Sequence, residues 1–149
     1  MTEKVFNFRI DGIDLVEKQL FRTVVNEEDH FSFDTQVQTI IDEIKKIVVV
    51  FVGVNIKKGA EPQPLCAKFL IAVGFIVDNF ETSFDRNEQG QLVIPQDLDL
   101  MFKGVAISTM RGVIFSELRG TTIHRAILPV IMLDTLKPIA ENLVDVKKL

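Results

Sequence analysis

Apolar and polar residues alternate along the first half of this chain in the pattern typical of β-strands. The alternation is cleanest from Phe31 onward, and after residue 47 it becomes a Val-rich, nearly continuous apolar run. We expect strands over residues 5–10, resuming after a break near Gly12 towards residue 21, and over residues 31–40, 47–56 and 66–80. Polar residues at 42–46 and 57–62 predict turns on either side of the third strand, and Gly74 predicts a bulge or close contact in the fourth.

The third predicted strand is apolar on both sides. Because successive side chains of a strand point to opposite faces, its residues divide into two apolar sets. These sets are Val48, Val50, Val52 and Val54 on one face, and Ile47, Val49 and Phe51 on the other. An antiparallel sheet with one face in water carries polar residues on that face. We therefore expect helices to cover one face of the sheet and a second body to cover the other.

Helical periodicity begins after a polar stretch at residues 81–95, which indicates a surface loop. Asp97 is the expected N-cap of a long helix that runs to about Leu118 and is ended by Gly120. The apolar residues of this helix form two offset stripes, which implies burial on more than one side. The stripes are Leu98, Met101, Phe102 and Val105, then Ile107, Met110, Ile114 and Leu118. A final amphipathic helix is expected over residues 135–148, capped by Asp134 and with Pro138 in its first turn.

The order of these elements defines the fold class. Strands come first and helices after, which is typical of an α+β domain. No internal repeat, low-complexity segment or Pro/Gly-rich linker divides the chain. We expect a single domain over residues 1–149, built as a four-stranded antiparallel sheet followed by a long helix and a C-terminal helix.

The composition adds a constraint on what the surface does. Of the 149 residues, 47% are hydrophobic, and the mean hydropathy of +0.24 is high for a chain of this size. We expect self-association to bury part of the apolar surface, or partner binding to use it. The net charge of −4 argues against nucleic acid as the main partner, because phosphate binding needs clustered Lys and Arg.

Compartment is indicated by cysteine content and by the N-terminus. The chain has a single cysteine, so it forms no intrachain disulfide. Its first twelve residues lack the basic and apolar regions of a signal peptide. The longest apolar runs, at residues 47–54 and 70–77, fall far short of the ~18 residues that suggest a membrane span. We expect a cytoplasmic protein without membrane insertion.

Residues suited to catalysis are scarce. His30 and His124 are the only histidines, and together with one cysteine they cannot complete a Cys/His zinc site. Cys66 starts an apolar strand, where a buried structural thiol is the expected role. No nucleophile elbow, dinucleotide fingerprint or phosphate-binding loop is present. We expect a binding protein that is not an enzyme and that uses no cofactor or metal. Its aromatic residues are 12 Phe with no Trp or Tyr, which favours nonspecific apolar contact.

Several local stretches resemble parts of one known protein family. The opening Phe6-Asn7-Phe8-Arg9-Ile10, followed by Asp14, is similar to the family's first strand. Phe31-Ser32-Phe33-Asp34-Thr35 resembles its second strand, and Leu65-Cys66-Ala67-Lys68 with Gly74-Phe75 resembles its fourth. The most specific piece is Arg119-Gly120-Thr121, then Leu128-Pro129-Val130 and Asp134, with one extra residue before Asp134. Together these stretches resemble the SecB-like chaperone family. The likeness covers nearly the whole chain, although each motif is short.

The resemblance implies an assembly and an activity. SecB-like subunits form homotetramers as dimers of dimers, which would cover the second face of the sheet and the second helical stripe. The implied oligomer interface is therefore Ile107, Met110, Ile114 and Leu118. The implied activity is that of an ATP-independent holdase, which binds unfolded or precursor polypeptides along apolar grooves for export. For each groove candidate the alternative is an ordinary core position. The client-binding candidates are Phe31, Phe33, Val37, Ile123, Ile127, Leu128 and Ile131.

In SecB, acidic residues on the sheet engage the translocation motor SecA. Asp14 falls at the matching position, and Glu17 and Glu61 match approximately, so these three are candidates for SecA binding. The chain lacks a markedly acidic tail, and each acid has the alternative of an ordinary solvated surface residue. Three hypotheses follow. The chain is a general export chaperone, a SecB-like chaperone dedicated to one client such as an antitoxin, or a structural oligomerisation module without holdase action.

Overall fold

The computed structural model describes residues 6–59 and 64–133, together with the backbone of residues 137–138. Four long strands dominate the fold: β1 (Phe8–Leu20), β2 (Phe31–Asp42), β3 (Ile47–Lys58) and β4 (Leu65–Val77). A short helix α1 (Phe80–Ser83) and a small hairpin, β5 (Asp85–Arg86) with β6 (Leu92–Val93), lead to the long helix α2 (Gln96–Glu117). The last described element is the two-residue strand β7 (Lys137–Pro138).

The sheet has the strand order β1-β4-β3-β2-β7. The pairs β1/β4, β3/β4 and β2/β3 are antiparallel, whereas β7 runs parallel to β2 opposite Gln36 and Val37. The predicted fold class is confirmed, because a four-stranded antiparallel sheet is followed by a long helix. Lys46 takes a left-handed conformation in the predicted turn between β2 and β3.

The first strand is continuous, so the break expected near Gly12 is absent. The pairing of β1 with β4 instead shifts register between Ile10 and Gly12 and again between Leu15 and Glu17. A bulge accommodates one extra residue in an edge strand without ending it. Gly12 lies opposite Gly74, where a side chain on Gly74 would contact the backbone of β1 at 3.9 Å. This is an ordinary van der Waals distance, and the extra residue at both register shifts lies in β1, so the bulge or close contact predicted at Gly74 is not observed.

The start of α2 and the start of the predicted final helix both differ from the sequence expectation. The N-cap of α2 is Pro95, and Asp97 lies in the first turn, where its charge complements the helix dipole without capping. Gly120 takes a left-handed conformation just beyond the helix, as predicted. The expected start of the final helix is wrong, because Lys137 and Pro138 form an extended pair with β2. The rest of that predicted helix lies outside the described residues.

The main core lies between one face of the sheet and α2. The predicted Val set of β3 is at most 1% exposed, and the alternate residues of β4 from Ala67 to Val77 pack into the same cluster. Three aromatic rings form its centre: Phe102 lies 4.9 Å from Phe8 and 4.7 Å from Phe75, measured between centroids. Such ring pairs add to the free energy gained by burying apolar area.

The opposite face of the sheet carries a smaller apolar cluster. Phe51, Leu70 and Ala72 are buried there, with Ile40 and Val49 packed beside them. Polar residues share this face, since Glu17 lies opposite Leu70 and Gln36 lies opposite Gly53. The expectation that a second body must cover this face is therefore corrected, because the cluster's centre is buried by neighbours within one chain.

Candidate functional site

The chain after α2 folds back along that helix, and we call residues 121–133 the strap. Arg111 of α2 holds it: Nε donates to the carbonyl oxygen of Leu128 at 2.8 Å, and a terminal nitrogen donates to that of Pro129 at 2.9 Å. Leu128 is 1% exposed and packs into the core, whereas its neighbour Ile127 is 54% exposed. The strap therefore has one apolar side inside the fold and another in solvent.

A notch of ≈ 390 Å³ lies between the strap and the connection from β1 to β2. Its apolar lining residues are Phe31, Phe33, Ala126 and Ile127, and its polar rim is Glu27, Glu28, Asp29, His30 and Arg125. Arg125 closes one end, since its guanidinium donates to the carbonyl oxygens of Glu27 at 2.7 Å and Asn26 at 2.9 Å. The alternation that predicted β2 places Phe31 and Phe33 on the same face. This geometry suits an apolar side chain entering beside a charged rim.

Asp29, on the rim of the notch, forms an ion pair with Lys58 at the end of β3. Its carboxylate accepts a hydrogen bond from the backbone N–H of Asn26 at 2.5 Å and lies 3.2 Å from Lys58 Nζ. The hydrogen bond from Asn26 is the main reason that the pKa of Asp29 is lowered, and the charges of Lys58 and Arg125 act in the same direction. Partial desolvation opposes them. The carboxylate form thus stabilises this corner of the fold.

A pH-dependent loss of stability follows from Asp29. A carboxyl whose pKa is lowered by folding contributes stability above its ordinary value of 3.8, and that contribution is lost as the pH falls through the folded-state pKa. We expect Asp29→Asn to be less stable than the unmodified chain near neutral pH, with the two converging in acid. Denaturant unfolding at a series of pH values measures this difference. Glu28→Gln, at an exposed acid of the same rim, should show no such trend. If the difference in free energy of unfolding between Asp29→Asn and the unmodified chain stays constant down to acid pH, the stabilising role of the Asp29 carboxylate is contradicted.

The seven client-binding candidates divide into two groups. Phe31, Phe33 and Ile127 meet in the notch, and Ile131 is half-buried in the strap. The remaining three are interior: Val37 and Ile123 are 4% exposed and Leu128 is 1% exposed. These three fill the core of a single chain, so they offer no open surface to a client in this conformation.

The SecA candidates lie on the sheet face that α2 does not cover. Asp14 is exposed opposite Ala72, and Glu17 is half-buried with its carboxylate 3.7 Å from Lys68 Nζ. Glu61 lies outside the described residues. The two described acids therefore share one face, and Glu17 already has a positively charged neighbour.

The four residues expected at an oligomer interface are all interior. Ile107 is 3% exposed, and Met110, Ile114 and Leu118 are 0% exposed. They belong to the same core cluster as strap residues Ile123, Ala126 and Leu128. The chain's own strap thus packs with the second stripe of α2, and these four side chains have no surface to present to another subunit.

An exposed apolar strip on β1 was missed by the sequence analysis. Its members are Ile10, Ile13, Leu15 and Leu20, each 42–48% exposed. Residues paired across two strands point to the same face, and these four pair with Phe75, Val73, Ile71 and Ala67 of the main core. The strip therefore continues the α2-covered face towards the sheet edge, interrupted by Lys18, whose Nζ lies 2.6 Å from the carboxylate of Glu117 in α2. Two bulges interrupt its period in the sequence, which is why alternation did not reveal it.

A second cleft runs along the outer edge of β2, with a volume of ≈ 990 Å³. Thr39 donates a hydrogen bond to Asp99 Oδ1 at 3.1 Å, and Lys103 Nζ lies 2.7 Å from Asp99 Oδ2 at its base. The cleft combines β2 with residues 90–94 and the first turns of α2, which are distant in sequence. No local motif could have indicated it.

Three further observations concern metal ligands, the cysteine and the helices of the described residues. No group of three or more His, Cys, Asp or Glu within residues 6–59 and 64–133 is arranged to hold a metal ion. Cys66 is buried, as predicted. Within the same ranges, every helix is too short or too polar to cross a membrane.

Comparison with known proteins identifies a similar fold. No protein-family model matches the chain, and no curated protein matches it. Among solved structures, the chain is similar to the Mycobacterium tuberculosis SecB-like chaperone Rv1957, in complex with a ChAD peptide from the HigA1 antitoxin Rv1956. The TM-score is 0.61 at 13% sequence identity, over 84% of this chain and 90% of that chain. The shared feature is the SecB-like fold.

Proposed function

We propose that this chain is an ATP-independent holdase chaperone, a binding protein that holds non-native polypeptides. The observation that carries the proposal is the apolar outer side of the strap beside the notch. Ile127, Val130 and Met132 are 54%, 89% and 68% exposed, in a segment whose other side is core. Contiguous exposed apolar surface is typical of interaction sites.

Affinity for a client would come from apolar burial. Each Å² of apolar surface removed from water contributes about 25 cal/mol, offset by the cost of ordering the client. Such contacts are non-directional, so they accept many sequences. Phe31 and Phe33 in the notch provide an aromatic end to the surface, and the strap provides its aliphatic part.

The range of clients has two candidate forms. A general chaperone for export binds diverse precursors, whereas a dedicated chaperone protects one client. The structurally similar chaperone is in complex with a peptide from an antitoxin, which supports the dedicated form. In the export form, Asp14 and Glu17, with Glu61, are the candidates for docking SecA. Competition between a panel of unfolded polypeptides separates the two forms, since a dedicated chaperone prefers one of them strongly.

We further propose that the chain works as a homo-oligomer, with a dimer of dimers as the expected tetramer. The β1 strip supports this proposal, because it extends the core face to the edge of the sheet and is left uncovered in one chain. An isologous contact through β1 would bury the strip against its own symmetry copy. This surface replaces the α2 residues as the proposed interface.

The holdase proposal is tested by light scattering from reduced, denatured lysozyme diluted into buffer with and without this protein. We expect suppressed aggregation at a few-fold excess over the client chain. Failure of the folded protein to change scattering at several-fold excess would remove the general holdase. A dedicated chaperone or a structural oligomerisation module would then be the remaining hypotheses.

A matched pair of variants locates the client surface. Ile127→Ser with Val130→Ser removes two exposed strap side chains, and we expect client affinity to fall by about 10- to 100-fold, because each side chain loses part of its burial energy. Ile44→Ser with Val93→Ser makes the same chemical changes at sites 95% and 45% exposed, in the turn between β2 and β3 and on β6. Equal loss of affinity in both pairs would contradict a client surface on the strap.

A further inference from the structure

The strap has a degenerate register. Residues 126–133 read Ala-Ile-Leu-Pro-Val-Ile-Met-Leu, so every position can be buried without placing a charge in the core. In extended chain, a slip of one residue exchanges the inward and outward side chains. In the strands of the sheet, the ladder of backbone hydrogen bonds prevents such a slip. Residues 126–132 belong to no strand in the described part of the chain, so a ladder does not set their register.

The observed burial nevertheless follows one register. Before Pro129, the even-numbered Ala126 and Leu128 are buried at 1% and Ile127 is exposed. After Pro129 the phase reverses, because Val130 and Met132 are exposed while the odd-numbered residues between and after them are half-buried. The phase change falls at Pro129, whose ring fixes φ, and a contact that distinguishes neighbouring peptide units would hold it in place.

Arg111 makes that contact at the phase change. Its guanidinium donates to two successive carbonyl oxygens, those of Leu128 and Pro129, at 2.8 and 2.9 Å. A guanidinium is a planar fork of fixed geometry, so two bonds from it define both the position and the orientation of the peptide it holds. Arg111 lies in the C-terminal half of α2, six residues before its end, which gives the fork a helical base.

We propose that Arg111 is a positioning residue that sets the register of the strap, and thereby decides which of its apolar side chains form the client surface. With the fork in place, Ile127, Val130 and Met132 face solvent and Leu128 faces the core. Without it, the strap samples neighbouring registers and presents a mixed surface. The role in client binding rests on the proposed function, whereas the role in register does not.

Thiol labelling tests the register directly and needs no client. Single variants Ile127→Cys and Leu128→Cys are labelled with a maleimide, alone and combined with Arg111→Met. With Arg111 present, the thiol at position 127 should react fast and that at 128 slowly. In the Arg111→Met background we expect protection at 128 to fall by about 10- to 100-fold, the range for losing charge-assisted hydrogen bonds. The unmodified chain, whose Cys66 is buried, provides the background rate.

Two further variants separate positioning from general destabilisation. Arg119→Met removes the same side chain from an exposed site just after the same helix, and protection at 128 should stay unchanged. Arg111→Lys keeps the charge but not the fork, and protection should fall as in Arg111→Met. Full protection at 128 in either Arg111 variant overturns the proposal. If Leu128→Cys unfolds the chain, hydrogen exchange of the strap amides in Arg111→Met and Arg119→Met provides the same comparison.

The proposed role of Arg111 in client binding is tested by measuring the affinity for fluorescently labelled, reduced and carboxymethylated lactalbumin. We expect Arg111→Met to bind it more weakly than Arg119→Met does, in proportion to the loss of protection at 128. Equal binding by the two variants, with protection lost only in the first, would overturn the link to the client surface. If the unmodified chain does not bind the probe, the general holdase fails, and the labelling result still decides the register.

Discussion

Phe102→Ala is expected to lower the free energy of unfolding by about 3–5 kcal/mol, the usual cost of truncating a buried Phe. Phe102 is 0% exposed, and its ring contacts those of Phe8 and Phe75 where α2 meets the sheet. Removing the ring leaves a cavity between elements that pack from opposite sides, so neither can close it without moving the other. Because small domains are stable by only about 5–15 kcal/mol, the loss is a large share of the total. Denaturant unfolding at equilibrium measures it.

The control for this prediction is Phe115→Ala on the same helix. Phe115 is 54% exposed, so truncating it should cost less than about 1 kcal/mol, as for most surface substitutions. Both variants remove the same atoms and have the same effect on helix propensity. Similar losses in the two variants would mean that α2 does not pack on the sheet through Phe102.

Ile13→Lys is expected to break the β1 contact, so that the assembled protein separates into smaller species. Ile13 is 48% exposed in the β1 strip, and an isologous contact would bring two copies of each substitution into one interface. Burying an unpaired ammonium costs several kcal/mol, so we expect the dissociation constant of the β1 contact to rise by more than about 100-fold. Light scattering coupled to size exclusion should then report at most half the mass of the unmodified assembly, in multiples of the chain mass of 16.9 kDa.

Ile44→Lys is the matched control for assembly. Ile44 is 95% exposed in the turn between β2 and β3, away from the β1 strip. The same substitution there should leave the assembled mass unchanged. A monomeric unmodified chain, or an Ile13→Lys variant with the same mass as the unmodified assembly, contradicts the proposed contact through β1.

Much of the fold follows from local pattern. The alternation beginning at Phe31 and the Val-rich run after residue 47 located β2 and β3 to within a few residues, because side chains in an antiparallel strand report directly on the faces of the sheet. The long helix was located equally well by its apolar periodicity and by Gly120 beyond its end. The exact end of an element, such as the N-cap of α2 at Pro95, was less predictable. Capping is decided by one residue, whereas an element is indicated by many.

The candidate site was less accessible to sequence reasoning. Leu128 and Ile127 are adjacent and chemically alike, yet one lies in the core and the other in solvent. The second stripe of α2 implied a covering body, which the resemblance assigned to another subunit, whereas in the structure these side chains are buried in one cluster with the strap. Composition likewise indicated excess apolar surface without locating the β1 strip.

The sequence by itself determined the α+β class, the four strands of the sheet, the long helix and the abundance of apolar surface. These properties depend on side-chain periods that repeat over many residues, so each is specified locally and redundantly. The tertiary structure alone decided which apolar residues are interior, because burial depends on what the chain brings back across each face. Arg111 shows the reason: its two hydrogen bonds join residues 17 and 18 positions apart, and no local pattern encodes that contact.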